Sequence, residues 1–329
     1  MIADPQQHYA PLMDVLPGFE MVPAKITIPI RERSEATPGK RPYIFAKKMA
    51  KVGQMFLSGQ FPYLLLSGPT GTGKSEFVEQ LAAHCGWSYE MVPCAKTTEI
   101  AALMWQMGIE ADGSTSYIDG PIVRAMKRGS ILVLEEFNAL NPSELTYLNT
   151  ILDSRGTPEP HTGTTVVPHP DFRLAATCND VAQETGVFKG TQTQNPAFLR
   201  RFSLKVRMDY LSEAQELQVI AARAPGIQKQ PLRVMRQLAV ACRKMADDGR
   251  IGFTCSPAEL VAWARLLVFN AGADENLQLA YMATLLQVAA LDALPQGEAV
   301  DVHNALDGVL RTVLSKGIAE LEKEHGQLW

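Results

Sequence analysis

The chain has 329 residues, 46% hydrophobic and 20% charged, enough for about two domains with true apolar cores. Its net charge of −4 offers no global field to draw nucleic acid or anionic lipid. Cys85, Cys94, Cys178, Cys242 and Cys255 are scattered with no C-x-x-C pair, which points to reduced thiols rather than disulfides or zinc.

Residues 1–42 are Pro-rich with one short apolar run, AKITIPI, and are expected to form an arm rather than a domain. The opening MIADPQQHY lacks the basic and apolar regions of a signal peptide, and no apolar run approaches the roughly 18 residues of a membrane span. A cytoplasmic protein with no membrane partner is expected. Residues 43–207 then alternate strand and helix, which predicts an α/β core with a parallel sheet between helices. A helix over 43–58 opens it, on the spacing of Ile44, Met49, Val52, Met55 and Phe56.

Leu64, Leu65 and Leu66 read as a buried strand, and GPTGTGKS follows at 68–75. The pattern G-x-x-x-x-G-K-[ST] is met by Gly68, Gly73, Lys74 and Ser75, with Pro69, Thr70, Gly71 and Thr72 between them and Glu76 opening the next helix. Strand, glycine loop and helix form the context in which such a loop cradles phosphates with its backbone N–H groups. Lys74 would reach the β and γ oxygens of ATP, and Ser75 would ligate Mg²⁺.

SYEMVPC supplies another strand, and residues 105–121 carry turn residues between two β-prone runs, as a hairpin would. SILVLEEFN at 130–138 places Ile131 to Leu134 in a buried strand that ends on two acids. The end of a parallel strand is where an α/β sheet presents chemistry. Glu135 would hold the metal shell, and Glu136 would take a proton from the attacking water. A helix over SELTYLNTILDSRG and a second hairpin over 154–172 follow.

FRLAATCND is a strand ending in Asn179, whose amide could bond a γ-phosphate or a water; an ordinary turn Asn would read the same. NPAFLRRF sets Arg200 and Arg201 at the end of a short helix. Paired arginines are usually a solvated face, but their distance from Asn179 suggests a cation reaching a neighbouring subunit's nucleotide. The strand SLKVRM ends this region. Residues 208–329 read as helices throughout and predict a small all-α lid domain. The six histidines show no ligand spacing.

GPTGTGKS, LVLEEFN, ATCND and NPAFLRRF, in that order, resemble the AAA+ P-loop ATPases, in particular the MoxR clade with its AAA_5-type core. PHPDFRLAATCNDVAQETGVFKGTQTQNPAFLRRF is similar to the CobS type, the ATPase subunits of aerobic cobaltochelatase. The resemblance places Lys74 and Ser75 at the Walker A positions, Glu135 and Glu136 at Walker B, Asn179 at sensor 1 and Arg201 at the arginine finger. It implies a homo-oligomeric ring, hexameric by analogy with this family, that hydrolyses Mg·ATP to remodel or activate a partner, often one with a von Willebrand A domain.

Two positions depart from the pattern. The family usually has Asp where Glu135 stands, and one more methylene moves the carboxylate by about 1.5 Å. The sensor 2 arginine should fall near Ala258 and is absent; Arg250 or Arg265 are the candidates to replace it. Two other readings stay open. A nucleic-acid-acting AAA+ motor is disfavoured by ten acids against four bases between 99 and 172. A low-turnover nucleotide switch is disfavoured by an intact Glu136 and favoured by the missing sensor 2 cation.

Overall fold

A computed structural model describes residues 8–16, 27–109, 115–160, 162–179 and 196–325. The chain divides into two units, Met1–Asp209 and Tyr210–Trp329. In chain order the first unit contains β1 (His8–Pro11), α1 (Leu12–Val15), β2 (Thr27–Ile30), α2 (Lys47–Leu57), β3 (Tyr63–Ser67), α3 (Lys74–Cys85) and β4 (Tyr89–Pro93). It continues through α4 (Ile100–Met104), β5 (Trp105–Ile109), β6 (Thr115–Asp119), α5 (Pro121–Arg128) and β7 (Ile131–Glu135). Last come α6 (Leu145–Leu152), β8 (Thr157–Pro158), β9 (Thr165–Val166), β10 (Arg173–Cys178), α7 (Pro196–Leu199) and β11 (Leu204–Arg207).

Five of these strands form one sheet in the order β11-β3-β10-β7-β4, and every neighbouring pair is parallel. β3, β7 and β10 are buried almost end to end, as strands covered on both faces must be. Alternation along β3 divides the core into two layers. Tyr63 and Leu65 face Ile122, Phe137, Leu148, Phe198 and Phe202, whereas Leu64 and Leu66 face Phe45, Phe56, Phe77 and Leu81. Both expected hairpins form, β5 with β6 and β8 with β9.

The expected arm is less separate than its composition suggests. β1 and β2 pair antiparallel, and Leu12, Leu16 and Ile28 are fully buried in the layer built by α2 and α3. The Trp87 indole N–H donates to the Pro29 carbonyl at 3.3 Å. Proline-rich sequence hides this docking because it carries no helical or strand period, yet three large aliphatic side chains suffice to anchor it.

The start of β10 carries a buried cation. Arg173 is 1% exposed, and its guanidinium donates to the carbonyls of Phe56, Leu57, Pro170 and Phe172 at 2.8–3.0 Å. Burial lowers its pKa to about 10. The four carbonyls take four of its five N–H donors and tie the end of α2 to the sheet.

The second unit is all helical among its described residues: α8 (Glu213–Arg223), α9 (Lys229–Asp247), α10 (Pro257–Ala271), α11 (Glu275–Ala280), α12 (Met282–Ala289), α13 (Gln296–Leu314) and α14 (Ile318–His325). Ser212 and Gln215 form a capping box that starts α8. The core is aliphatic around Trp263, whose indole N–H donates to the Met282 carbonyl at 3.0 Å. One acid lies inside it. Glu216 is fully buried between Arg236, at 2.9 Å, and Arg243, at 2.6 Å. Two arginines around one buried carboxylate cross-link α8 and α9, and losing the carboxylate would strand both cations.

Candidate functional site

The site begins where β3 ends. Gly68 has φ +143°, and a Cβ there would stand 2.0 Å from the Met208 carbonyl oxygen, so only glycine lets the chain turn beside the end of β11. Gly73 adopts the left-handed conformation at the head of α3, with φ 82° and ψ 27°. Between them the loop braces itself: the Thr72 hydroxyl donates to the Pro69 carbonyl at 3.0 Å. The loop thus leads into the N-terminus of α3, where the helix dipole favours an anion.

Lys74 is 8% exposed and lies across the loop. Its ammonium donates to the carbonyls of Gly68 and Pro69 at 2.9 and 2.8 Å and to Asn179 Oδ1 at 3.2 Å. These are neutral acceptors, which charged phosphate oxygens would outcompete. The next residue, Ser75, donates its hydroxyl hydrogen to Glu135 Oε1.

Sheet register brings the acids to this loop. Ala176 on β10 pairs with Leu134 on β7, and Cys178 on β10 pairs with Ser67 on β3. Glu135, Glu136 and Asn179 therefore emerge at the same edge of the sheet as the phosphate loop. Glu136 leaves the strand with φ 54° and ψ 42°, a left-handed conformation uncommon for a residue with a Cβ. Its amide donates to Thr177 Oγ1 at 3.2 Å, and its carbonyl accepts from Ala139 at 2.8 Å. The Asn179 amide spans the site, with Oδ1 on Lys74 and Nδ2 at 3.5 Å from Glu136 Oε1. Beside Glu135, burial and the carboxylate push the Cys94 thiol up to about 12, so it stays protonated and weakly ligating.

Five residues singled out in the sequence thus converge: Lys74, Ser75, Glu135, Glu136 and Asn179. The arginines stand apart from that hydrogen-bonded set. Arg201 donates from Nε to Asp153 Oδ1 at 3.0 Å, just beyond α6, with both side chains about one-third exposed. Arg200 is exposed. Residues 180–195, between Asn179 and α7, lie outside the described residues. Near the expected sensor 2 position, Ala258 is exposed on α10, and Arg265 donates to the Arg223 carbonyl at 3.0 Å. A cavity of about 580 Å³ opens elsewhere, beside the edge strand β4 between Met91, Leu103, Gln106 and Pro121, and contains none of the phosphate-loop residues.

Sequence reading missed Thr177 and Asp153. Thr177 had a signal: it is the polar side chain late in the apolar run LAATC, and a buried hydroxyl must find a partner. Asp153 had none, because an acid after a helix ordinarily faces solvent.

The chain has counterparts among known proteins. The family model for the AAA domain (dynein-related subfamily) matches residues 63–202. Residues 63–202 thus match an AAA domain, and the chain is similar to CobS-type AAA+ ATPases. Aerobic cobaltochelatase subunit CobS from Sinorhizobium sp is 29% identical over 238 residues, covering 68% of this chain and 69% of that protein. An uncharacterized protein of Staphylococcus epidermidis is 32% identical over 153 residues. That match covers 45% of this chain and 56% of the staphylococcal protein, so the AAA+ chain described here corresponds to little more than half of it. Among solved structures, NtrX from Brucella abortus in complex with ADP is 14% identical at a TM-score of 0.47, covering 86% of this chain and 69% of that one. Among the described residues, no helix is long and apolar enough to cross a membrane.

Proposed function

We propose that this AAA+ ATPase works as a Mg·ATP-hydrolysing ring that remodels or activates a partner protein. The observation that carries the reading is the joining of Lys74, Ser75, Glu135, Glu136 and Asn179 through hydrogen bonds at one edge of the sheet. Backbone N–H groups of the loop from Thr70 to Ser75, with Glu76 in the first turn of α3, would hold the β-phosphate, and Gly68 and Pro69 would shape its entry. Lys74 would exchange the Gly68 and Pro69 carbonyls for β and γ oxygens, a charge-assisted contact stronger than the one it leaves.

Ser75 and Glu135 already touch, and a hydroxyl beside a carboxylate is a donor set suited to a hard divalent cation. Bound there, Mg²⁺ would neutralise charge on the phosphate oxygens. Glu136, exposed at the strand end, would accept the proton of the attacking water, and Asn179 would orient that water or the γ-phosphate. A site of this kind lacks a cation for the charge that develops as the γ-phosphoryl leaves. In this reading Arg201, or Arg200 beside it, supplies that cation to the neighbouring subunit.

The relation to CobS supports a partner in a multi-subunit assembly: the partner proposed carries a von Willebrand A domain, and the work done on it is that of a metal chelatase or a co-chaperone. A low-turnover switch is the second reading, supported by the Arg265 guanidinium's engagement with a backbone carbonyl and the alanine at 258. Light scattering with and without a slow ATP analogue tests the ring. Nucleotide at subunit interfaces should shift the equilibrium to a larger assembly by mass action. A monomer at tens of micromolar under saturating ATP would sink the model. Pull-down from the native host, read by mass spectrometry, tests the partner.

A further inference from the structure

Glu136 has an exposed side chain on a backbone that most residues avoid, so something must hold it. The 3-10 turn that follows accepts one restraint, from Ala139 to the Glu136 carbonyl. The other comes from across the sheet, where the Thr177 hydroxyl takes the Glu136 amide hydrogen. Thr177 is 1% exposed and lies on the central strand β10, paired with Leu66 of β3. Ala176 and Cys178 point into the opposite layer, so Thr177 shares its face with Ala175, toward α3 and the phosphate loop. A hydroxyl placed there is fixed by the sheet on both sides and cannot follow a wandering turn.

We propose that Thr177 is a positioning residue for Glu136: its hydroxyl anchors the left-handed turn that directs the Glu136 carboxylate toward Asn179. This rests on the reading of Glu136 as the general base. Removing the hydroxyl releases the Glu136 amide inside a half-buried turn, and the backbone is then free to relax toward an ordinary conformation. Displacement of a catalytic group by about 1 Å costs on the order of 10²-fold in rate without touching substrate affinity. A hydroxyl that merely satisfied a strand end would affect stability and leave turnover of the folded protein alone.

The test compares Thr177→Val, which keeps the shape, with Thr177→Ser, which keeps the hydroxyl. The full chain is assayed for ATP turnover, nucleotide affinity and melting temperature. Thr177→Val should lower kcat by about 10-fold to 10²-fold with nucleotide affinity within about twofold of wild type. Thr177→Ser should stay within about threefold of wild-type kcat. In a Glu136→Gln background, Thr177→Val should cause no further loss, because the group it positions is already gone. Full-speed Thr177→Val overturns the proposal. So does a Thr177→Ser as slow as Thr177→Val, or an undiminished effect in the Glu136→Gln background. Should the valine variant fail to fold, Thr177→Ala is read in the same way. A Glu136→Gln that turns over near wild type overturns the base reading itself, whereas a slow Glu136→Gln beside a fast Thr177→Val overturns only the role of Thr177.

Discussion

At the C-terminal ends of β3, β7 and β10, Lys74, Ser75, Glu135, Glu136 and Asn179 are each tied to another part of the same chain, while at the corner after α7 Arg201 pairs with Asp153 and Arg200 is exposed. The first region is assembled by sheet register: adjacent parallel strands end together and deliver their side chains to one loop. The second is set by a four-residue helix whose apolar side, Phe198 with the following Phe202, packs under Phe137. Of the two arginines that follow, Arg200 is exposed and Arg201 half-buried. The contrast teaches how such a protein divides its work. On the proposed reading, binding and proton removal would depend on groups fixed within one chain, and the charge-stabilising cation would come from another.

Substitutions should separate the two regions. The largest effect is expected from Lys74→Ala, which removes the cation proposed to meet the β and γ oxygens. Tight ATP binding should be abolished, as nucleotide titration would show. Wild-type affinity would remove Lys74 from the site. Arg201→Ala should leave binding almost intact and lower hydrolysis by about 10³-fold, in line with cations that act mainly on the transition state. A fully active Arg201→Ala would move the role to Arg200. Glu136→Gln should bind ATP normally and turn over at least about 10²-fold more slowly, with ATP holding the assembly together. Near-normal turnover would redirect attention to Glu135. The smallest effect belongs to Asp153→Asn, which removes the charge of the carboxylate that pairs with Arg201. An ion pair one-third exposed is worth about 0–1 kcal/mol, so kcat should change by no more than about fivefold. A loss as large as that of Arg201→Ala would show that Asp153 does more than tether.

Much of the first region was legible because its signals are local. A glycine loop between LLL and an amphipathic helix, and two acids after ILVL, each state their chemistry within a dozen residues. Asn179 was legible only as a polar residue at a strand end. Its contacts with Lys74 and Glu136 cross more than 40 residues and depend on strand order, which periodicity does not reveal. The same limit hid Thr177, Arg173 and Glu216. Glu216 lies in SEAQELQ, which reads as a solvated helix face, and its burial follows from Arg236 and Arg243 one helix away. The N-terminal arm was misleading for a different cause. Prolines suppress the periodic signal, while the tertiary contacts of Leu12, Leu16 and Ile28 fix its place.

The central claim is that this site is completed by a cation from a neighbouring copy, and mixing two inactive variants tests it most directly. Lys74→Ala subunits keep Arg201, and Arg201→Ala subunits keep the phosphate loop. In a mixed assembly some interfaces pair an intact loop with an intact arginine. Hydrolysis should partly return on mixing, above the sum of the two variants alone. No recovery, with mixed assemblies confirmed by mass, would contradict a role for Arg201 across the interface.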